Sequence, residues 1–227
     1  MADALGVFDM TNALSLTMDS LVETLVMVFA SSFLSFVIGL FTAILLYALQ
    51  PGNGMHPNAV LHTVLSKIIN IMRSFPFIIL IILLMPFTRK IVGTTIGVRA
   101  AVIPLSLAAA PFIARLIESA FMEIDKGLIE AARIMGSRNS DVIFKVLIPE
   151  CLPQIVDAIT MTVINLIAYS AMAGTVGAGG LGDLAIRYGY QRFRTDVMIM
   201  AVVSIILIVE IVQMAGSWIS KRLRNKR

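Results

Sequence analysis

From Thr24 to Gln50 the sequence carries no charged side chain, and shorter uncharged runs recur at residues 74–88, 100–114, 158–182 and 197–209. In lipid such runs must satisfy their backbone N–H and C=O groups internally, which only helices and closed barrels can do. The runs are continuous rather than alternating, which excludes the two-residue pattern of barrel strands and leaves helices. At about 20 residues per crossing, five spans are expected, at about 21–49, 64–87, 98–121, 152–176 and 197–218. Only 14% of the 227 residues are charged and 58% are hydrophobic, whereas a soluble domain has about a quarter charged. The expectation is therefore an all-α integral membrane protein. One domain covers 21–218, between an extracytoplasmic segment 1–20 and a basic tail 219–227. The N-terminus lacks a basic leader and carries Asp3, Asp9 and Asp19, so the first span is expected to be retained.

Residues 123–149 break the apolar pattern with alternating charge, so they belong outside the hydrocarbon. Ile124, Leu128, Ala131, Ala132 and Met135 fall on one face of a short helix, with Glu123, Lys126, Glu130 and Arg133 on the other. Gly136 is placed to close that helix in the left-handed conformation. Ser137, Asn139 or Ser140 can cap a second helix beginning near Asp141, and Pro149 limits its extent. The expected form is helix, sharp turn, helix, between two spans.

The order Glu130-Ala131-Ala132, three residues, Gly136, nine residues, then Val146-Leu147-Ile148-Pro149 resembles the EAA signature of ABC importer permeases. That signature normally ends Ile-x-Leu-Pro, so Val146 and Ile148 are conservative departures. RSFPFIIL at 73–80, AAAPFIARLIESA at 108–120 and YSAMAGTVGAGGLG at 169–182 resemble the methionine-importer branch of that family. The likeness covers about Leu21 to Trp218. It implies a type I ABC importer permease fold in the bacterial inner membrane. It also implies transport of methionine, L and D, without enzymatic activity in this chain. Glu130, Ala131, Ala132, Met135, Gly136, Ser137, Arg138 and Pro149 are then the ATPase-coupling residues. The implied partners are two ATPase subunits, which hold ATP and Mg, and an external substrate-binding protein, lipid-anchored or periplasmic. No cofactor, metal or nucleic acid is expected on this chain.

Read from the residues alone, the fourth span is the most polar. Asp157, Met161, Asn165, Ala168 and Met172 share a stripe, with Thr162 and Tyr169 beside it. Polar groups in a membrane helix face a cavity or a partner, so Asp157, Met161, Asn165, Ala168, Tyr169 and Met172 are the candidate translocation path. Interhelical hydrogen bonding by Thr and Asn is the alternative. Arg115 and Glu118 are spaced to pair. Arg73 can snorkel to the interface or contact a neighbouring helix, and Pro76 is expected to kink the second span. Ser31, Ser32, Ser35 and Gly39 allow close packing on the first span. His56 and His62 make only a weak metal signal, read as a solvated loop. The Gly177–Gly182 run matches GxGxxG, but a membrane helix precedes it where a dinucleotide site needs a strand. A tight turn is expected there instead. Arg187, Tyr188, Tyr190, Arg192 and Arg194 form a polar-aromatic surface suited to an external partner. Glu210, with Gln213 three residues on, needs a partner or a proton.

With the N-terminus outside, the inside carries Lys67, Lys126, Arg133, Arg138, Lys145, Lys221, Arg222, Arg224, Lys226 and Arg227. Arg89, Lys90, Arg99, Arg187, Arg192 and Arg194 are then outside, and ten against six favours this orientation. No GxxxxGK[ST] occurs, so any ATPase is a separate polypeptide. Five spans enclose little, which implies a homodimer. Alternatives are the same machine with another amino acid or small organic cargo, or an ion-coupled secondary transporter, for which the inverted repeats expected are not seen.

Overall fold

The computed structural model describes residues 10–52 and 54–225. Asp3, Asp9, Asn53, Lys226 and Arg227 lie outside the described residues. Among those described, every regular element is helical. Four helices are long and apolar enough to cross a membrane: α1 (Met10–Leu49), α4 (Val98–Met122), α8 (Leu152–Gly174) and α10 (Thr195–Arg224). A bent pair, α2 (Ala59–Ser74) and α3 (Phe77–Val92), makes a fifth crossing if it acts as one span. Between α4 and α8 lie α5 (Lys126–Ile134), α6 (Asn139–Asp141), a π-helical stretch Val142–Leu147 and α7 (Ile148–Glu150). Between α8 and α10 lie α9 (Gly180–Leu184) and a second π-helical stretch, Ala185–Tyr190.

Three boundaries differ from the sequence reading. Helix α1 begins at Met10, so half of the segment expected to precede the span is helical. Helix α10 continues through Arg224, so most of the basic tail is its last turns, with Arg222 over the Trp218 ring at 5.2 Å. The second span is broken rather than kinked, because α2 and α3 meet at 107°. Phe75 (ψ 128°) and Pro76 (ψ 128°) are both extended, as expected where a proline ring drives its predecessor out of the helical region.

The chain forms two compact units, and α1, α4, α8 and α10 each contribute to both. One comprises residues 34–75, 108–162 and 213–225. Its core gathers Ala43, Tyr47, Ile113, Ile117, Phe121, Val142, Leu147 and Ile155, with Tyr47 and Phe121 edge to face at 5.7 Å. Lipid is as apolar as leucine, so such contacts stabilise through packing density and hydrogen bonds rather than through exclusion of water. The expected Arg115–Glu118 pair is present at 2.7 Å. Arg115 also donates to the Ser66 carbonyl at 3.1 Å and to Asn70 Oδ1 at 3.2 Å. His62 Nε2 lies 3.7 Å from Glu118 Oε1. Neither histidine is therefore merely solvated: His62 belongs to α2, and His56 Nε2 is 3.1 Å from Asn139 Nδ2. No metal-binding group of three or more His, Cys, Asp or Glu occurs among the described residues. Arg73 stacks over Phe112 at 5.8 Å, the neighbour-contact alternative for that side chain.

The other unit comprises residues 10–33, 76–107 and 163–212. Leu181, Leu184, Val197 and Ala201 form its buried centre. Ser31 is buried, as its expected packing role requires, and donates to the Val102 carbonyl at 3.4 Å. The glycine-rich run is the tight turn expected, with Gly177, Gly179 and Gly180 at φ between 81° and 88°. The Gly180 N–H donates to Glu23 Oε2 at 2.7 Å and the Leu181 N–H to Thr24 Oγ1 at 2.9 Å. Two side chains of α1 thus satisfy the start of α9. Gly182 lies so close to α8 that a Cβ there would fall 2.3 Å from the Ala171 backbone.

Candidate functional site

The polar segment between α4 and α8 folds as helix, turn, helix. Asp125 caps α5 by accepting from the Gly127 N–H at 2.8 Å. At the other end Gly136 stands at φ 83°. Its N–H donates to the Arg133 carbonyl at 2.9 Å, and the Ser137 N–H donates to the Ala132 carbonyl at 3.1 Å. This pair of bonds is the Schellman closure, which satisfies two otherwise orphaned carbonyls. The left-handed glycine expected from the sequence is therefore present, and it sets the turn after Met135.

The faces of α5 are distributed differently from a simple two-sided helix. Ile129 and Ala132 are buried in the core of their unit. Leu128, Ala131 and Met135, which the sequence reading grouped with Ala132 on one apolar face, are exposed. Met135 is 79% and Ile134 87% exposed. At 100° per residue, the buried pair and the exposed trio stand about a quarter turn apart, with the charged edge Lys126, Glu130 and Arg133 on the other side of the buried pair. The helix is anchored by one apolar edge and presents a second.

The second half starts at Asn139, two residues before the position expected, and none of Ser137, Asn139 or Ser140 caps it. Instead the Asp141 carboxylate reaches back to accept from the Arg138 N–H at 3.3 Å, while Asn139 turns to His56. Lys145 Nζ lies 2.6 Å from Asp141 Oδ1, and that hydrogen bond holds the Asp141 carboxyl below the usual carboxylate range. Arg138 itself is exposed. The π-helical stretch runs directly into Pro149, with the Ile148 N–H donating to the Ile143 carbonyl. A widened turn relieves the clash a proline ring makes with the carbonyl four residues back. Helical backbone ends at Glu150, one residue past Pro149, and the Cys151 Sγ–H donates to the Ala120 carbonyl at 3.1 Å.

On α8 the candidate path residues separate. Met161 and Met172 are 55% and 48% exposed, Ala168 is exposed and Asn165 is half-buried. These four keep the helical stripe and present it away from the chain's own packing. Asp157 and Tyr169 are engaged elsewhere. Asp157 Oδ2 pairs with Arg224 at 2.5 Å, and Tyr169 stacks flat on Phe77 with centroids 4.6 Å apart. These contacts join residues 67 and 92 positions apart and leave no trace in local spacing. Glu210 is on the exposed side of α10, while Gln213 bonds Ser217 at 3.1 Å rather than Glu210. In the polar-aromatic segment, Arg187 and Arg192 flank the Tyr188 ring at 5.5 and 4.5 Å, Arg187 pairs with Asp183, and Arg194 with Asp196 at 2.5 Å.

The sequence reading did not foresee Leu128 and Ile134 as surface residues. Their period places them on a helix but cannot say which edge the rest of the chain covers.

A model of the family described as binding-protein-dependent transport system inner membrane components matches residues 35–225. The probable D-methionine transport system permease protein MetI of Vibrio cholerae is 44% identical over 204 residues, 90% of this chain and 90% of that protein. The D-methionine transport system permease protein MetI of Escherichia coli K12 is 54% identical over 152 residues, 67% of this chain and 70% of that one. Among solved structures, an inward-facing conformation of the MetNI methionine ABC transporter superposes with a TM-score of 0.90 at 48% identity. That match covers 92% of this chain and 97% of the other.

Proposed function

The chain belongs to the family of binding-protein-dependent transport system inner membrane components, and from that premise we propose that it is the permease of a methionine importer driven by a separate ATPase. It has the type I ABC importer permease fold and is an inner-membrane subunit. In this reading two copies face each other, two ATPase subunits bind on the cytoplasmic side, and an external binding protein delivers L- or D-methionine. Selectivity lies largely with that binding protein.

The observation that carries the reading is the second apolar edge of α5. A short cytoplasmic helix gains nothing by presenting Leu128, Ala131 and Met135 to water unless another surface covers them. Ile129 and Ala132 root the helix in the permease core, so displacement of the docked edge moves α5 together with the ends of α1 and α4. When two ATP-bound subunits close, the two copies of α5 are drawn together and the spans alternate between inward and outward access. The exposed stripe Met161, Asn165, Ala168 and Met172 faces the partner copy and lines the path. Met172 is a bulky, adaptable side chain able to close it.

Met135→Glu places a charge at the docked edge without touching the core. The expected result is at least tenfold weaker capture of the ATPase subunit and loss of ATP-driven uptake of labelled methionine in proteoliposomes, with membrane insertion unchanged. Uptake against a gradient by the chain without any ATPase, or full activity of Met135→Glu, would overturn the reading.

A further inference from the structure

Where α1 and α4 end, an open cleft of about 140 Å³ lies against α5. Tyr47 and Gln50 line it from the last turn of α1, Phe121 from α4, and Lys126, Glu130 and Arg133 from α5. The three charged residues stand at i, i+4 and i+7, so they share one edge of α5. Opposite charges at i, i+4 ordinarily pair, yet none of the three makes an ion pair among the described residues. Tyr47 is 5% exposed, and its hydroxyl has no hydrogen-bond partner among the described residues. The Gln50 amide reaches only the Met122 sulfur, at 3.2 Å. Two cations, one carboxylate, a hydroxyl and an amide therefore meet in one recess without satisfying one another.

The depth of the recess selects its occupant. The uncharged run of α1 stops at Gln50-Pro51-Gly52, and a tyrosine just inside such an end sits at the level of lipid headgroups. The order of charge along α5 is plus, minus, plus. A purely anionic group would leave Glu130 repelled, and a purely cationic one would leave Lys126 and Arg133 unanswered. A phosphate joined to a primary ammonium answers all three. Arg133 offers its planar fork and Lys126 a point charge to the phosphate. Glu130 accepts from the ammonium, and the Tyr47 hydroxyl and Gln50 amide donate to remaining phosphate oxygens. We propose that this cleft is a binding site for the phosphoethanolamine headgroup of a membrane phospholipid. The assignment goes beyond the transport reading and does not depend on it: Tyr47, Gln50, Lys126 and Arg133 are outside the residues assigned to ATPase coupling, and only Glu130 is common to both.

The test uses the assembled transporter in nanodiscs of phosphatidylcholine containing a minor fraction of phosphatidylethanolamine or phosphatidylglycerol, with lipid retained on the released protein counted by native mass spectrometry. Preferential retention of the ethanolamine lipid is expected. The Lys126→Ala/Arg133→Ala variant should lower it about thirtyfold, the effect of two interfacial cations. Tyr47→Phe, which keeps the ring against Phe121, should lower it about fivefold. Lys221→Ala/Arg222→Ala, which removes two cations away from the cleft, should leave retention unchanged. Displacement by millimolar O-phosphoethanolamine would assign the site to the free compound, and resistance to it would assign the site to the lipid. Equal retention of the three lipids, no effect of the Lys126 and Arg133 changes, or an equal loss with Lys221 and Arg222 would each overturn the proposal.

Discussion

Substitution at Gly136 separates backbone geometry from every other effect at the turn proposed to dock the ATPase. Its φ of 83° lies where an ordinary L residue costs about 1–2 kcal/mol. A Cβ built there meets nothing within 4 Å, so no steric clash adds to that preference. Asparagine enters the left-handed region readily, alanine bears the full cost, and the branched valine bears more. If docking requires the closed turn, the apparent ATPase affinity can fall by no more than the population of that turn. For Gly136→Ala the limit is about 5- to 30-fold. The expected order is Gly136→Asn near wild type, Gly136→Ala weakened within that range, and Gly136→Val weakest, with all three inserted and folded in the membrane. Binding of purified ATPase subunit to permease in nanodiscs, read beside ATP-driven methionine uptake, measures the series. An asparagine variant as impaired as the valine one, or three variants indistinguishable from wild type, would refute the argument that the left-handed turn sets docking.

Gly182→Ala drives a Cβ to 2.3 Å from the Ala171 backbone, which cannot yield as a side chain would. A stability loss of about 1–3 kcal/mol is expected, seen as earlier thermal aggregation of the assembled complex, and an unchanged melting profile would contradict the packing described. Met172→Ala should alter leak or transport rate while assembly persists. No change in either would return the α8 stripe to ordinary helix packing.

The features legible in the sequence were those with a local cause. Gly136 could be foreseen because a helix of this period must be closed and glycine is the residue that closes it, and Arg115 with Glu118 because three residues make one helical step. The glycine-rich turn was legible because no strand precedes it. The pairing of Asp157 was not legible because its partner, Arg224, belongs to a helix expected to have ended by Trp218 and is remote in the chain. The stack of Tyr169 on Phe77 was not legible because Phe77 lies beyond a bend of 107° where a single span was expected. Proline at position 76 predicts a disturbance but not its size, since the angle depends on what packs against each arm. The exposed edge of α5 escaped for a related reason: periodicity places side chains around an axis, and only tertiary contacts decide which of them face water.

The elbow between α2 and α3 carries a consequence for the solvent around it. Helical hydrogen bonding stops at Ser74 and resumes from Pro76, whose carbonyl accepts from Ile79 and Leu80, so the terminal carbonyls of α2 outrun their donors. The Ser74 hydroxyl donates back to the Asn70 carbonyl at 2.9 Å and relieves one of them. Each of the others would cost several kcal/mol in hydrocarbon. The corner must therefore stay wet or be roofed by neighbouring protein, and a bilayer thick enough to bury it would straighten the arms or expel them.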